Sequence, residues 1–180
     1  TAFTDSKPLF TSIISPDTSL TYQTQLYAIT ITNDASNPTG NKLGSAIITI
    51  PTGFTSVSST DVTAEAGKSW TGSIYPGQIK LAATASEQRL VTGQSVSVTF
   101  SATAPGDVGT YEWTTTAYVN PDWAGDTFSL KGAQPAVIVN PVPTVSITIT
   151  SSPNGEGFVK VDGDAVASPI TFSWPIGSSH

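Results

Sequence analysis

Residues 95–102 alternate without a break, with Ser95, Ser97, Thr99 and Ser101 at one parity and Val96, Val98, Phe100 and Ala102 at the other. A side-chain period of two is that of a β-strand with one buried and one solvated face, and it cannot make the stripe of an amphipathic helix. The same parity holds for Tyr27, Ile29 and Ile31, and for Ala46, Ile48 and Ile50. No stretch carries a convincing helical period, and 13 Pro and 15 Gly divide the chain into short pieces. The chain is therefore expected to be all-β.

Strand-like segments follow one another at 9–14, 20–32, 43–50, 69–74, 78–83, 95–102, 111–119, 127–130 and 136–139, with short irregular stretches at 54–57 and 62–64. Tyr75-Pro76-Gly77-Gln78 suits a type II turn, which predicts a hairpin there. About nine short strands joined by turns argue for an antiparallel sandwich of two sheets over residues 1–140, with an extended N-terminal strand. Pro141 and Pro143 make 141–143 a stiff linker. Beyond it, 144–180 offers three strands, at 145–150, 158–161 and 169–174, with a tight hairpin turn at Asp162-Gly163. Segments below about 40 residues seldom close a core without disulfides, metal or a partner, so this incomplete β-hairpin segment is expected to pack against something outside itself.

Composition narrows the function. Lys and Arg number 7, Asp and Glu 13, and the net charge is −6, which gives no basic field for nucleic acid or an anionic membrane. Ser and Thr together fill 51 of 180 positions, so the surface is polar but largely uncharged. There is no Cys, and the single His is His180, so disulfides, thiolate chemistry and His/Cys metal clusters are excluded. No apolar run is long enough to span a bilayer. Thr1 in place of an initiator Met reads as a processed or excised chain, in keeping with secretion.

Asp107-Val108-Gly109-Thr110-Tyr111-Glu112-Trp113 resembles the corner before the penultimate strand of immunoglobulin-like sandwiches, with Trp113 where antibody-type domains place a cysteine. The resemblance implies that Tyr111 bonds back to the corner backbone, that Gly109 permits the tight path and that Trp113 fills the core where a disulfide would sit. Leu20-Thr21-Tyr22, Ile29 to Asn33, Ile48 to Phe54 and Val96 to Phe100 are similar to immunoglobulin-like modules of secreted archaeal and bacterial surface proteins, among them adhesins and surface-layer-associated chains. Gly157 to Gly163, followed by Pro169 to Trp174, is similar to another surface-protein piece that normally continues further. The resemblance implies an extracellular, cell-surface location and does not specify a chemistry.

Other candidates have competing readings. Trp123, with Asp122 and Asp126, stands in a polar loop and serves either as a sugar-stacking platform or as a plug over the sandwich end; Trp70 and Tyr75 are further aromatic candidates. Asp122, Asp126, Asp162 and Asp164 are weak Ca2+ candidates, and no other cofactor is implied. The glutamates are Glu65, Glu87, Glu112 and Glu156, and no partner can be named for Glu112, so glycoside hydrolysis has little support and no catalytic residue is assigned. Lys42 and Lys80 flank strands and read as solvated rather than as isopeptide donors. Asn37-Pro38-Thr39 carries the Pro that forbids N-glycosylation.

The expected function is a noncatalytic extracellular structural subunit of a filament or coat, joined to other copies of itself or to neighbouring surface modules by strand pairing or donation. Leu9, Phe10 and Ile13 at one end, and Val145, Ile147, Ile149, Phe172 and Trp174 at the other, are the candidate assembly anchors. The alternative is a carbohydrate-binding or adhesive module acting through an exposed Trp123.

Overall fold

The computed structural model describes residues 7–151 and 157–180. The chain divides into two compact units, Thr1–Asn140 and Pro141–His180. Among the described residues, twelve strands build the first: β1 (Leu9–Ser15), β2 (Thr18–Leu20), β3 (Thr24–Asn33), β4 (Ser45–Thr49), β5 (Thr55–Ala64), β6 (Trp70–Tyr75), β7 (Gln78–Ala83), β8 (Ser95–Thr103), β9 (Gly109–Glu112), β10 (Thr115–Tyr118), β11 (Ser129–Leu130) and β12 (Ala136–Asn140). The fold is a mainly antiparallel β-sandwich in which β1–β11 and β2–β12 pair in parallel, and Ser86–Gln88 is the one 3-10 turn among the described residues.

One layer runs β11-β1-β3-β8-β5. The other is made of β10-β4-β7-β6 and β2-β12-β9. Backbone bonds from Trp113 N to Pro135 O (2.8 Å) and from Thr49 N to Thr114 O (2.9 Å) tie the stretch between β9 and β10 to both groups. The alternating stretch that opens the sequence reading is β8, which pairs with β3 from Thr32↔Ser95 to Thr24↔Thr103. Its Val96, Val98, Phe100 and Ala102 are buried. Its hydroxyls face out and bond across strands, as in Thr30 Oγ1 to Ser97 Oγ at 3.1 Å and the 2.8 Å pair of Thr24 and Thr103. Polar groups on this face are thus satisfied without ionic partners.

Apolar side chains of both layers meet around Trp113, which is fully buried. Phe54 and Phe100 lie with ring centroids 5.0 Å from it, and Tyr27 lies at 6.2 Å. Its Nε1 has no hydrogen-bond partner.

Several segments differ from the sequence expectation. Residues 20–32 are not one strand: Gln23 N bonds back to Leu20 O (3.1 Å) and Tyr22 takes φ 59°, so the chain turns before β3 begins. Residues 111–119 divide into β9, which pairs with β12, and β10, which pairs with β4. The burial parity runs unbroken through Trp113 and Thr115, but the ladder changes partner. At the break, the Gln134 side chain accepts from Thr115 N (2.8 Å) and donates to Thr115 O (3.2 Å), which supplies the bonds a neighbouring strand would otherwise make. The irregular stretches, apart from Phe54, belong to a single strand, β5, whose register against β8 shifts twice.

Among its described residues the second unit holds four strands rather than three: β13 (Thr144–Ile149), β14 (Gly157–Val161), β15 (Asp164–Ser168) and β16 (Ile170–Pro175). They form two two-stranded ladders, β13-β16 and β14-β15. The turn between β14 and β15 is Asp162-Gly163, both at positive φ (50° and 92°), as a two-residue hairpin connection requires.

Candidate interaction surface

The β13–β16 ladder pairs Val145 with Trp174, Ile147 with Phe172 and Ile149 with Ile170. Between these rows lie Thr144 with Pro175, Ser146 with Ser173 and Thr148 with Thr171. Since successive side chains of a strand point to opposite faces, one face of the ribbon is apolar and the other mainly hydroxylated. Phe172 stacks on Trp174 at 4.8 Å, and Trp174 stacks on His180 at 4.0 Å. Yet none of the described residues from Pro141 to His180 is buried. Val145 and Ile147 are 44% and 40% exposed. A two-stranded ribbon is marginal in water, and this face, with Ile149, Ile170, Phe172 and Trp174 half-buried, is only partly covered.

The N-terminal candidates are used differently. β1 pairs with β3 of its own sandwich from Phe10↔Asn33 to Ser15↔Ala28, and with β11 at Leu9 and Phe10. Phe10 is buried in the core and Leu9 is half-buried, so these side chains are already committed; Ile13 faces out. The reading of β1 as a strand given to another copy is therefore corrected: its hydrogen bonds and its anchor are spent within its own sheet.

A groove of about 370 Å3 opens at one end of the first unit, lined by Ile50, Phe54, Ser56, Val57, Ile74 and Tyr75 among others. β5 and β6 are the terminal strands of their layers. They touch where Val62 meets Gly72, since a Cβ on Gly72 would lie 2.6 Å from Val62 Cγ2. Nearer the β6–β7 turn, two residues of β5, Ser56 and Val57, stand opposite the single Ala102 of β8. This is a β-bulge, and Ser56 takes φ 53° to make it. In sequence, 55–60 shows only a run of Thr, Ser and Val with no apolar parity; that loss of alternation is the one signal a bulge leaves.

The loop bearing Trp123 folds onto the β7 backbone. Trp123 is half-buried, its Nε1 donates to Leu81 O (3.1 Å), and its backbone N donates to Ser45 Oγ (3.2 Å). Lys80 Nζ lies 5.2 Å from its ring and 4.9 Å from that of Tyr75, within cation–π range. Asp122 and Asp126 are exposed. Trp70 is buried, with Nε1 donating to Gln88 O (3.0 Å), so it makes no platform with Tyr75.

At the corner, Tyr111 Oη donates to Asp107 O at 2.9 Å, and Gly109 has φ 159°. Glu112 is exposed and accepts from Thr114 Oγ1 (3.1 Å). In the tail, Asp162 Oδ2 lies 2.9 Å from His180 Nδ1, and Asp164 begins β15. Among the described residues, no three of His, Cys, Asp and Glu converge on a metal site, and no helix is long and apolar enough to cross a membrane.

No protein-family model matches the chain, and no curated protein matches it. Solved structures do. The major pilin subunit of Bacillus cereus superposes with a TM-score of 0.53 at 12% identity, over 94% of this chain and 56% of the pilin. A non-cellulosomal cohesin from the archaeon Archaeoglobus fulgidus gives 0.44 at 15% identity, over 73% of this chain and 91% of the cohesin. A putative membrane-anchored protein from Corynebacterium diphtheriae gives 0.44 at 13% identity, over 79% of this chain and 38% of that one. What this chain shares with the pilin subunit, at 12% identity, is the fold alone.

Proposed function

We propose that the chain is a noncatalytic structural module of an extracellular surface assembly, a filament or coat in which copies join through strand pairing. The observation that carries this reading is the β13–β16 ribbon, whose three rows of paired apolar side chains lie on a unit in which no described residue is buried. Such a face gains about 25 cal/mol for each Å2 it removes from water, and a partner is the means of removing it. The likeness in fold to a pilin subunit is in keeping with this, as is a surface with few charges to desolvate.

The test is the association state of the full chain over a wide concentration range, by sedimentation velocity and negative-stain imaging. Polymers or higher oligomers that vanish with Ile147→Asp are expected. A chain that stays monomeric at every concentration removes the assembly reading.

A further inference from the structure

We infer that His180 acts as a pH-sensitive clasp between the two ladders of the second unit, closed while both ring nitrogens carry a proton and loosened when one proton is lost. Three contacts converge on this side chain. Its Nδ1 lies 2.9 Å from Oδ2 of Asp162, in the turn between β14 and β15. Its Nε2 lies 2.8 Å from Ser178 Oγ. Its ring stacks on Trp174 of β16, with centroids 4.0 Å apart and planes inclined by 11°, and Trp174 stacks in turn on Phe172. One side chain thus ties the β14–β15 ladder to the β13–β16 ladder.

A count of protons decides which charge state this geometry needs. A serine hydroxyl has one hydrogen to give, and that of Ser178 goes to Pro175 O at 2.8 Å. Ser178 Oγ is left to accept, so Nε2 donates to it. An ionised carboxylate only accepts, so Nδ1 donates to Asp162. Both ring nitrogens are therefore N–H donors, which is the imidazolium form. The indole beneath the ring favours the same form, since a cation within about 6 Å of a Trp ring is drawn to its π face. A neutral imidazole has only one N–H. Either Asp162 then faces a bare nitrogen, or Ser178 turns its hydroxyl away from Pro175 O, and one of the three bonds is lost in both cases.

Among the described residues, β13, β16 and the stretch 176–179 carry no ionisable side chain. Asp162 is the acid that meets the ring, with Lys160 of β14 and Asp164 of β15 two residues to either side of it. Histidine is the side chain whose charge ordinarily changes between pH 5 and 8, and His180 is the one histidine of the chain. Its side chain is 24% exposed, so protons reach it from solvent. The ladders it joins are two-stranded, and none of their described residues is buried, so a single bond between them matters.

The full chain is followed by proton NMR and by amide exchange corrected for the intrinsic effect of pH. With one histidine, the imidazole C–H signals assign themselves. At pH 5 they are expected upfield of free histidine at the same pH, in the ring current of Trp174, and the displacement should shrink by pH 8. Protection of amides over 158–167 should fall about two- to tenfold across that range, as the loss of one hydrogen bond implies. Asp162→Asn keeps a residue that tolerates the φ of 50° at this position, and Ser178→Ala removes the second acceptor; each should flatten the pH dependence.

The parent alone can overturn the clasp. Imidazole signals at free-histidine positions at pH 5 do so, and so does equal protection at pH 5 and pH 8. An Asp162→Asn chain that keeps the parent's full pH dependence overturns it as well, because the carboxylate is then not the partner that the proton serves.

Discussion

Lys131 closes on Asp34 across 97 residues of sequence, its Nζ 3.0 Å from Oδ2 and 3.1 Å from Oδ1. The carboxylate also accepts from the backbone N of Ser36 (2.9 Å) and from its hydroxyl. Asp34 N bonds Leu9 O, and Lys131 N bonds Phe10 O, so the pair closes a junction that holds β1 between the loop after β3 and β11. Ser36 first, through hydroxyl and backbone, and then Lys131 draw the Asp34 carboxyl from 3.8 down to about 2.

A depressed folded-state value makes the ionised carboxylate a source of stability above pH 3.8, lost as the pH falls toward about 2. Asp34→Asn is therefore expected to melt below the parent at pH 7, with the gap closing between those two values. Thermal melts at pH 7, 3 and 2 check this. Ser36→Ala should reproduce more of the loss than Lys131→Ala, because the Ser36 hydroxyl bond is the largest single contribution and the Lys131 side chain is 52% exposed, although the backbone bond of residue 36 survives the change.

Gly44 is fixed by its surroundings rather than by φ. A Cβ there would fall on the carbonyl oxygen of Val119 and lie 2.6 Å from the backbone carbon of Asn120. Backbone cannot retreat as a flexible side chain can, so Gly44→Ala is expected to destabilise by about 1–3 kcal/mol, the usual cost of overpacking. Denaturant unfolding measures it, and the parent m-value should be retained.

Trp113 separates ring burial from hydrogen bonding. Its Nε1 has no partner, so Trp113→Phe gives up no hydrogen bond and keeps most of the contact with Phe54 and Phe100. Its cost should stay under about 2 kcal/mol, against about 3–5 kcal/mol for Trp113→Ala, which empties the centre of the core. Chemical denaturation of the two variants reads the difference.

The sequence made the layered β architecture readable wherever burial follows parity, as from Ser95 to Ala102, because a half-buried strand writes its two faces into alternate residues. It hid the features made by tertiary partners. The change of ladder between Trp113 and Thr115 keeps its parity, and Gln134, which replaces the missing strand, lies 19 residues away in sequence. The strand at Asp164–Ser168 has Val166 as its only large apolar side chain, so it offers too little hydrophobic signal to be seen. The apolar face of β13–β16 was visible as a pattern, whereas the groove was not, since a bulge destroys the period by which strands are recognised. Nor does an extended apolar segment reveal whether its side chains are buried in a core, as Phe10 of β1 is, or left exposed, as Val145 and Ile147 of β13 are.

Trp123 has its polar atom committed inward, to Leu81 O, and Lys80 bears on its ring. A stacking platform needs a free ring face, whereas a plug needs contact with the sheet, and half-burial with an internal hydrogen bond favours the plug. Trp123→Phe is expected to cost about 0.5–1.5 kcal/mol for the lost bond. Trp123→Ala is expected to cost more and to release the loop, seen as faster amide exchange over residues 120–126. Neither change should alter retention on a polysaccharide array. An alanine variant that melts with the parent but loses polysaccharide binding would reverse the assignment and make the indole a ligand contact.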